Sequence, residues 1–486
     1  MPEFVFLFTD VFIVLLFAAM LAYGFYVRRS AALRAAWRNV GQSSAAMCAA
    51  VVLFCFALVA LLDSIHYRPV LPAESGQPDQ AVVYSPVVRS ALDDLLSYTQ
   101  MAHPEKTYSA PLAIRQFTKE TQLIDGQPVR DFPRLAHAGL LLTSDSEHTA
   151  DVLQRSLLGV GVGLCLALGL AGLLTLAVLR GGRNARQAFD YWWQGQTQLP
   201  WRAMWIMTAI LLMLFGLVVS LGLDYHVLGT DRTGNDVLRQ SLKSIRTALV
   251  IGTLTTLSML PPALVFGLSA GYFKGRIDDV IQYIYTTLTS IPGVLLIAAC
   301  VLMMQVYIDN NPESFPTVAA RADLRLFLLC LILGFTGWAG LCRLLRAEAL
   351  KLRELEYVQA ARAFGVSHWR IMFRHLLPNV MHIVLITMVL QFSGLVLYEA
   401  VLSYLGIGVD PSMASFGTMI DASRLEMSRD PMIWWNLLAA FVFMLALVLA
   451  ANIFADAVQQ AFDPRMRRFK PVRKLKASAV SGGRSS

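Results

Sequence analysis

Apolar residues in this chain gather in long unbroken blocks, with polar and charged positions confined to the junctions between them. Nine blocks qualify, at 4–26, 46–62, 156–179, 204–223, 248–272, 281–304, 324–342, 380–405 and 434–454. Each is close to the roughly 20 residues a helix needs to cross about 30 Å of hydrocarbon. Lipid offers no partner to a backbone N–H or C=O, so only helices or closed barrels span it, and uninterrupted apolar runs exclude the alternating pattern of a barrel strand. The pattern predicts an all-α polytopic membrane protein. The first block has no basic residues ahead of it and is followed by Arg28 and Arg29, which marks a retained anchor rather than a cleaved signal.

Composition agrees: 56% of the 486 residues are hydrophobic and 15% charged, against about 25% charged in soluble domains. The net charge of +8 does not form a nucleic-acid patch, because the basic residues flank the apolar blocks. They follow the first block (Arg28, Arg29, Arg34, Arg38), the third (Arg180, Arg183, Arg186), the fifth (Lys274, Arg276), the seventh (Arg343, Arg346, Lys351, Arg353) and the last, from Arg465 to Lys476. The positive-inside rule then places the N-terminus outside and the C-terminus in the cytoplasm. Arg232, Arg239, Lys243 and Arg246 contradict the rule after the fourth block, and the other junctions outweigh them.

Residues 63–151 form the one long polar segment and fall on the outer side. Its prolines and short apolar runs, such as 87–101, predict a small, loosely ordered domain that leans on the membrane or a partner. Its histidines, His66, His103, His137 and His148, lack metal-ligand spacing and read as surface residues. The six cysteines lie in or beside apolar blocks and read as small buried hydrophobes. The tail at 470–486 reads as disordered, basic and cytoplasmic.

The junction after the seventh block, 343–379, is long for a connection and rich in helix formers. Leu350, Leu352 and Leu355 interleave with charges, Gly365 is placed to close a helix in the left-handed conformation, Ser367 to cap the next, and Pro378 to reset the chain. The residues alone fit either an ordinary interfacial connector or a helix-turn-helix whose small Ala360, Ala361 and Ala363 admit another protein.

The run QAARAFGVSHWRIMFRHLLP resembles the EAA loop of ABC-importer permeases, with Gln359, Ala360 and Ala361 as the triad, then Gly365, and His375, Leu376, Leu377 and Pro378 as the ending. Gln359 replaces the family's acidic residue and His375 its aliphatic one. Gly229, Thr230, Asp231, Gly234 and Asp236 resemble the LGTD signature of the C-type permease in dipeptide and oligopeptide importers, with Asn235 at the family's arginine position. Asp231 is placed to cap an outer amphipathic helix running to Ala248. Glu399 with Ala400, and Ala461 to Arg465, also match.

The resemblance implies a type I permease core at 201–469, preceded by anchor helices at 1–62, the periplasmic insert, and a third helix with its linker at 152–200. It implies an inner-membrane permease subunit for peptides, with nickel or another small solute as the alternative cargo. A sensor or scaffold using the insert is a more distant alternative. Implied partners are a second permease subunit, two ABC ATPase subunits, a periplasmic solute-binding protein, the peptide and membrane lipid. No GxxxxGK[ST] loop occurs, so ATP and Mg belong to the partner subunits, with no cofactor and no catalysis on this chain. Glu399, near the outer end of the eighth block, is costly unless it faces protein or water, and either anchors neighbouring helices or lines the gate. Pro261, Pro262 and Pro292 offer bends for alternating access or simple packing kinks.

Overall fold

A computed structural model describes residues 3–70, 84–124, 127–140, 145–179, 185–193, 199–311 and 317–462. The basic tail and the closing motif from Asp463 to Arg465 lie outside the described residues.

Helices occupy all nine apolar blocks. Eight are long and apolar enough to span alone: α1 (Phe8–Arg29), α3 (Ser44–Asp63), α5 (His148–Leu179), α7 (Trp201–Gly222), α8 (Val237–Phe273), α10 (Gly293–Asn310), α15 (Leu377–Tyr404) and α17 (Trp435–Phe462). The ninth is a pair, α11 (Val318–Gly337) and α12 (Ala339–Arg353), bent by 40°. Shorter helices are α2 (Ala31–Gln42), α4 (Ala91–Leu96), α6 (Ala185–Trp193), α9 (Arg276–Ser290), α13 (Glu356–Ala363), α14 (His368–Ile371) and α16 (Phe416–Glu426).

The sixth block departs from expectation. Its first half belongs to the separate amphipathic helix α9, and the span begins only at Gly293. Pro292 causes the break: without an N–H it cannot continue α9, and it stands instead ahead of α10, its carbonyl accepting from Leu295 N and Leu296 N. Pro261 and Pro262, by contrast, lie inside a helix that runs on through both.

Helix α8 is the hub. Its 37 residues are about 55 Å long at 1.5 Å per residue, enough to cross the bilayer and project beyond it. It packs against α12, α11, α15, α3 and α17. The close seam with α12 depends on Gly271, where a Cβ would stand 2.5 Å from the Cβ of Ala349. Three apolar clusters follow its length: one with α9 and α12 to α15, one with α1, α10 and α11, and one with α15 to α17 and the insert.

The N-terminal spans are packed into this core. α5 and α7 touch backbone to backbone where a Cβ on Gly216 would fall 2.3 Å from Gly159 O. α3 lies against α7, α8 and α17, and α1 against α11 and α8. Arg246 of α8, 4% exposed, donates to Asp10 Oδ1 at 2.5 Å and Thr9 Oγ1 at 2.6 Å, and stands 3.5 Å from Asp323 of α11. Thr9 in turn donates to Asp323 through its backbone N and its hydroxyl.

These pairings explain the basic residues that contradicted the positive-inside rule. Lys243 and Arg239 each reach Asp93 of the insert at 2.7 Å, and Arg246 is paired as above, so three of the four are neutralised locally. Burial opposes charge on Asp93, yet Lys243 and Arg239 hold its carboxyl below the usual carboxylate range.

The insert has more order than the sequence promised. β1 (Glu3–Val5), β2 (His66–Arg68) and β3 (Arg89–Ser90) form an antiparallel sheet, and β4 (Glu120–Ile124) pairs with β5 (Gln127–Asp131) as a hairpin. A reciprocal cap between Ser90 and Asp93 starts α4. The partner on which this segment leans is the chain's own loop 224–236.

Candidate functional site

The junction after the seventh block folds as an elbow. α12 buries Leu341, Cys342, Leu345 and Ala349, one helical stripe against α8, while Leu355 stays exposed, so the buried stripe is not the Leu350, Leu352 and Leu355 set that the spacing suggested. α13 then turns back and ends at Gly365, φ +71°. Val366 N donates to Ala361 O and Gly365 N to Arg362 O, the paired bonds of a left-handed helix stop. Nothing lies within 4 Å of a Cβ built on Gly365, so the backbone conformation, not space, demands glycine there.

Two expectations for this elbow need correction. Ser367 occupies the N-cap position of α14 but makes no side-chain capping bond. Pro378 does not reset the chain: helix runs continuously from His368 to Tyr404. A π-helical turn at Met372–Leu376 shifts the hydrogen-bond register, which puts Pro378 in the first turn of α15, where its missing N–H costs little.

The elbow is fastened on several sides. Arg353 Nη1 donates to Tyr272 O at 2.9 Å, Tyr272 Oη meets His368 Nδ1 at 2.9 Å, and Lys274 reaches Glu354 at 2.9 Å. Arg346 forks onto Asp278 of α9, and Asn379 of α15 donates to Tyr357 Oη at 3.1 Å. Gln359 donates to Glu354 O at 3.1 Å. The elbow as a whole, from Arg346 to Asn379, is thus bonded to α8, α9 and α15.

The triad is split between two faces. Gln359 and Ala360 are exposed, whereas Ala361 packs inward with Val358, Val366 and Leu377 against the core cluster. Sequence reasoning missed the aromatic surface beside them. Phe364 is 87% exposed, and Trp369 stacks on Phe373 with centroids 5.9 Å apart, both rings open to the outside. Their positions off the Val358–Ala361 stripe were the available signal.

On the opposite side of α8, the LGTD segment is a tight, buried turn. Asp231 does not cap the long helix; its Oδ1 accepts from Thr233 N at 2.8 Å and Asn235 N at 2.9 Å, closing the turn. The cap is Asp236, which accepts from Arg239 N at 3.0 Å and from His226 Nδ1 at 2.8 Å. Thr230 is a hub: its hydroxyl accepts from Ser109 N and donates to Thr107 O, and its carbonyl accepts from Trp435 Nε1. Gly229 and Gly234 both have positive φ and lie under the insert. A Cβ on Gly234 would sit 1.7 Å from Glu105 O, so only glycine permits this approach.

His226 was not singled out from the sequence, yet it is fully buried between Asp236 and Glu105. The 3.8 Å gap to Glu105 is an ion-pair distance without a hydrogen bond. Burial alone would depress the imidazole, but the two carboxylates outweigh it and lift its pKa to about 9. Glu105 also accepts from Ala136 N and His137 N, so one carboxylate gathers the insert onto the LGTD turn.

Glu399, 2% exposed, faces protein. Ser403 Oγ donates to it at 2.6 Å and Ser415 Oγ at 3.0 Å, and Ser415 is also the N-cap of α16. The carboxylate therefore fastens the loop between α15 and α16. No metal-ligating cluster occurs among the described residues, and the cysteines are free, with Cys330 and Cys342 buried, Cys165 exposed and the rest between. The insert's histidines are less uniformly superficial than expected: His66 pairs with Asp10 at 2.7 Å and His148 with Leu112 O at 2.8 Å.

The family model described as "Binding-protein-dependent transport system inner membrane component" matches residues 263–468, which contain the elbow and Glu399. The dipeptide transport system permease protein of Bacillus subtilis is 30% identical over 243 residues, covering 50% of this chain and 70% of the relative. The oligopeptide transport system permease protein of Mycobacterium tuberculosis is 32% identical over 245 residues, covering 50% of this chain and 78% of the relative. The peptidoglycan transport system permease protein of Agrobacterium fabrum is 34% identical over 241 residues, covering 49% and 57%.

Proposed function

This chain belongs to the dipeptide and oligopeptide permeases among the inner-membrane components of binding-protein-dependent transport systems, and from that premise we propose that its elbow at 354–379 is the lever through which ATPase subunits drive transport. The chain is the transmembrane permease subunit of an ABC importer for peptides; the names of its relatives favour peptide over nickel as cargo. ATP and Mg sit on two separate ATPase subunits, and the chain itself binds no cofactor and catalyses no reaction. A second permease subunit pairs with it across the pore, a periplasmic solute-binding protein delivers the peptide, and lipid covers the remaining apolar surface. The N-terminus faces the periplasm and the C-terminus the cytoplasm.

One observation carries this reading. α13 and its C-cap present an exposed face of Gln359, Ala360 and Phe364, while Val358 and Ala361 pack into the core cluster and Tyr357 accepts from Asn379 of α15; the flanking elbow residues His368 and Arg346 are bonded to Tyr272 of α8 and Asp278 of α9. Small residues let a partner approach, and an exposed aromatic supplies the anchor that fills a partner's pocket. Closure of the ATPases displaces the elbow as a unit. Because packed helices shift between discrete arrangements, the displacement tilts the spans from one accessible side to the other.

Phe364→Asp tests this cleanly, since the side chain supports nothing inside this chain. Uptake should fall at least about tenfold, the loss of one hot-spot contact, with membrane levels unchanged. Uptake equal to the parent protein's contradicts the proposal.

A further inference from the structure

Where the insert meets the loop ahead of α17, the two enclose a cavity of about 560 Å³, open to the outer side. Its walls come from the insert and its floor from Arg429 to Ile433, inside the family-matched region. That volume lies within the roughly 300–1,000 Å³ typical of small-ligand sites.

The charge around it is uneven. Arg115 is neutralised by Asp145 at 2.7 Å and Asp131 at 3.6 Å. Arg429 lies over the Tyr108 ring at 5.1 Å. Lys119 and Arg130, both exposed at the rim, have no carboxylate within 4 Å among the described residues, and Lys119 rests over the Phe132 ring at 5.2 Å. On the core side Asp430 is likewise without a cation within 4 Å. Gln116, another lining residue and only 8% exposed, buries an Oε1 with no hydrogen-bond partner among the described residues. A buried acceptor left unsatisfied costs about 1–3 kcal/mol, a cost that an N–H donor in the cavity would relieve on a small turn of the Gln116 side chain.

We propose that this cavity is a peptide-binding subsite of the permease itself: it takes a short zwitterionic peptide, with the C-terminal carboxylate at Lys119 and Arg130, a backbone N–H on Gln116 Oε1 and the N-terminal ammonium at Asp430. Phe132 and Ile433 supply the apolar wall for side chains. The proposal rests on the peptide-importer reading and assigns the insert a purpose, a holding site at the entrance.

The test uses the assembled transporter in nanodiscs, without its binding protein, and tri-alanine as the probe. Tri-alanine should bind, tri-alanine amide and N-acetyl tri-alanine at least about tenfold more weakly, since each lacks one terminal charge. The exposed double substitution Lys119→Glu, Arg130→Glu should lose the preference for the free carboxylate. Equal binding of the amide, unchanged binding by the double variant, or displacement by acetate at matching concentration overturns the proposal. Uptake of tri-alanine by the complete system is measured alongside. Uptake without binding to the nanodisc complex overturns the subsite alone, whereas failure to transport any peptide overturns the importer reading as well.

Discussion

Arg346 meets Asp278 through two parallel hydrogen bonds, Nε to Oδ1 at 2.5 Å and Nη2 to Oδ2 at 2.7 Å, and this fork joins the base of the elbow to α9. A planar guanidinium matched to a carboxylate fixes direction as well as distance. Asp278→Asn keeps the shape but turns an amide toward the guanidinium, at a cost of about 1.5–3 kcal/mol. The expected result is ATP hydrolysis that continues with fewer peptides moved per ATP. The exchanged pair Asp278→Arg, Arg346→Asp should recover part of the coupling; wild-type coupling in Asp278→Asn would show that the fork carries no force.

His226 makes docking of the insert sensitive to pH. Its pKa is raised in the folded protein to about 9 from the ordinary imidazole value of 6.5, so the stabilisation is complete below about 6.5 and is lost as pH rises through about 9. The full swing is on the order of 3 kcal/mol. Hydrogen exchange at residues 105–117 should accelerate between pH 7 and 10 in the parent protein. In His226→Gln it should be fast already at pH 7 and show no such conformational step beyond the chemical trend. A parent protein with no step in that window contradicts the assignment.

Gly234→Ala should unseat the insert. The new Cβ would lie 1.7 Å from Glu105 O, and φ +78° adds strain of about 1–2 kcal/mol for an L side chain. Limited proteolysis should cut the insert much faster than in the parent protein while the spans remain protected; an unchanged cleavage rate would mean that the insert is held elsewhere.

Arg246→Met should destabilise the packing of α1 and α11 on α8. Removing the cation leaves Asp10 and Asp323 buried against each other, a penalty of about 3–5 kcal/mol. Adding Asp10→Asn and Asp323→Asn should restore much of the loss, read as the thermal midpoint in detergent. If the single and triple variants melt together, the buried cluster is not what holds α1 to the core.

Much of this architecture was legible because lipid enforces a simple code. Every apolar block became a helix, and the left-handed stop at Gly365 followed from one glycine after an amphipathic turn. The misreadings arose where tertiary context decides. Pro292 divides a block that hydropathy alone reads as continuous, while Pro378 is absorbed by a π turn that no local pattern announces. Asp231 and Asp236 are both good caps, and only the approach of His226 and the insert selects Asp236. Phe364 escaped notice because it is exposed, and apolar character by itself argues for burial. Arg239, Lys243 and Arg246 ran against the positive-inside pattern, and nothing local announces their carboxylate partners, more than 140 residues away in the chain for Lys243 and Asp93.

The central claim is that α13 touches a nucleotide-hydrolysing subunit and moves with it. Ala360→Cys in an otherwise functional transporter, crosslinked in native membranes with a short bifunctional thiol reagent, tests this most directly. The account predicts a crosslink to the ATPase subunit whose yield changes between the nucleotide-free and ATP-bound states. A cysteine at 360 that never crosslinks to an ATPase subunit, while uptake remains intact, contradicts it.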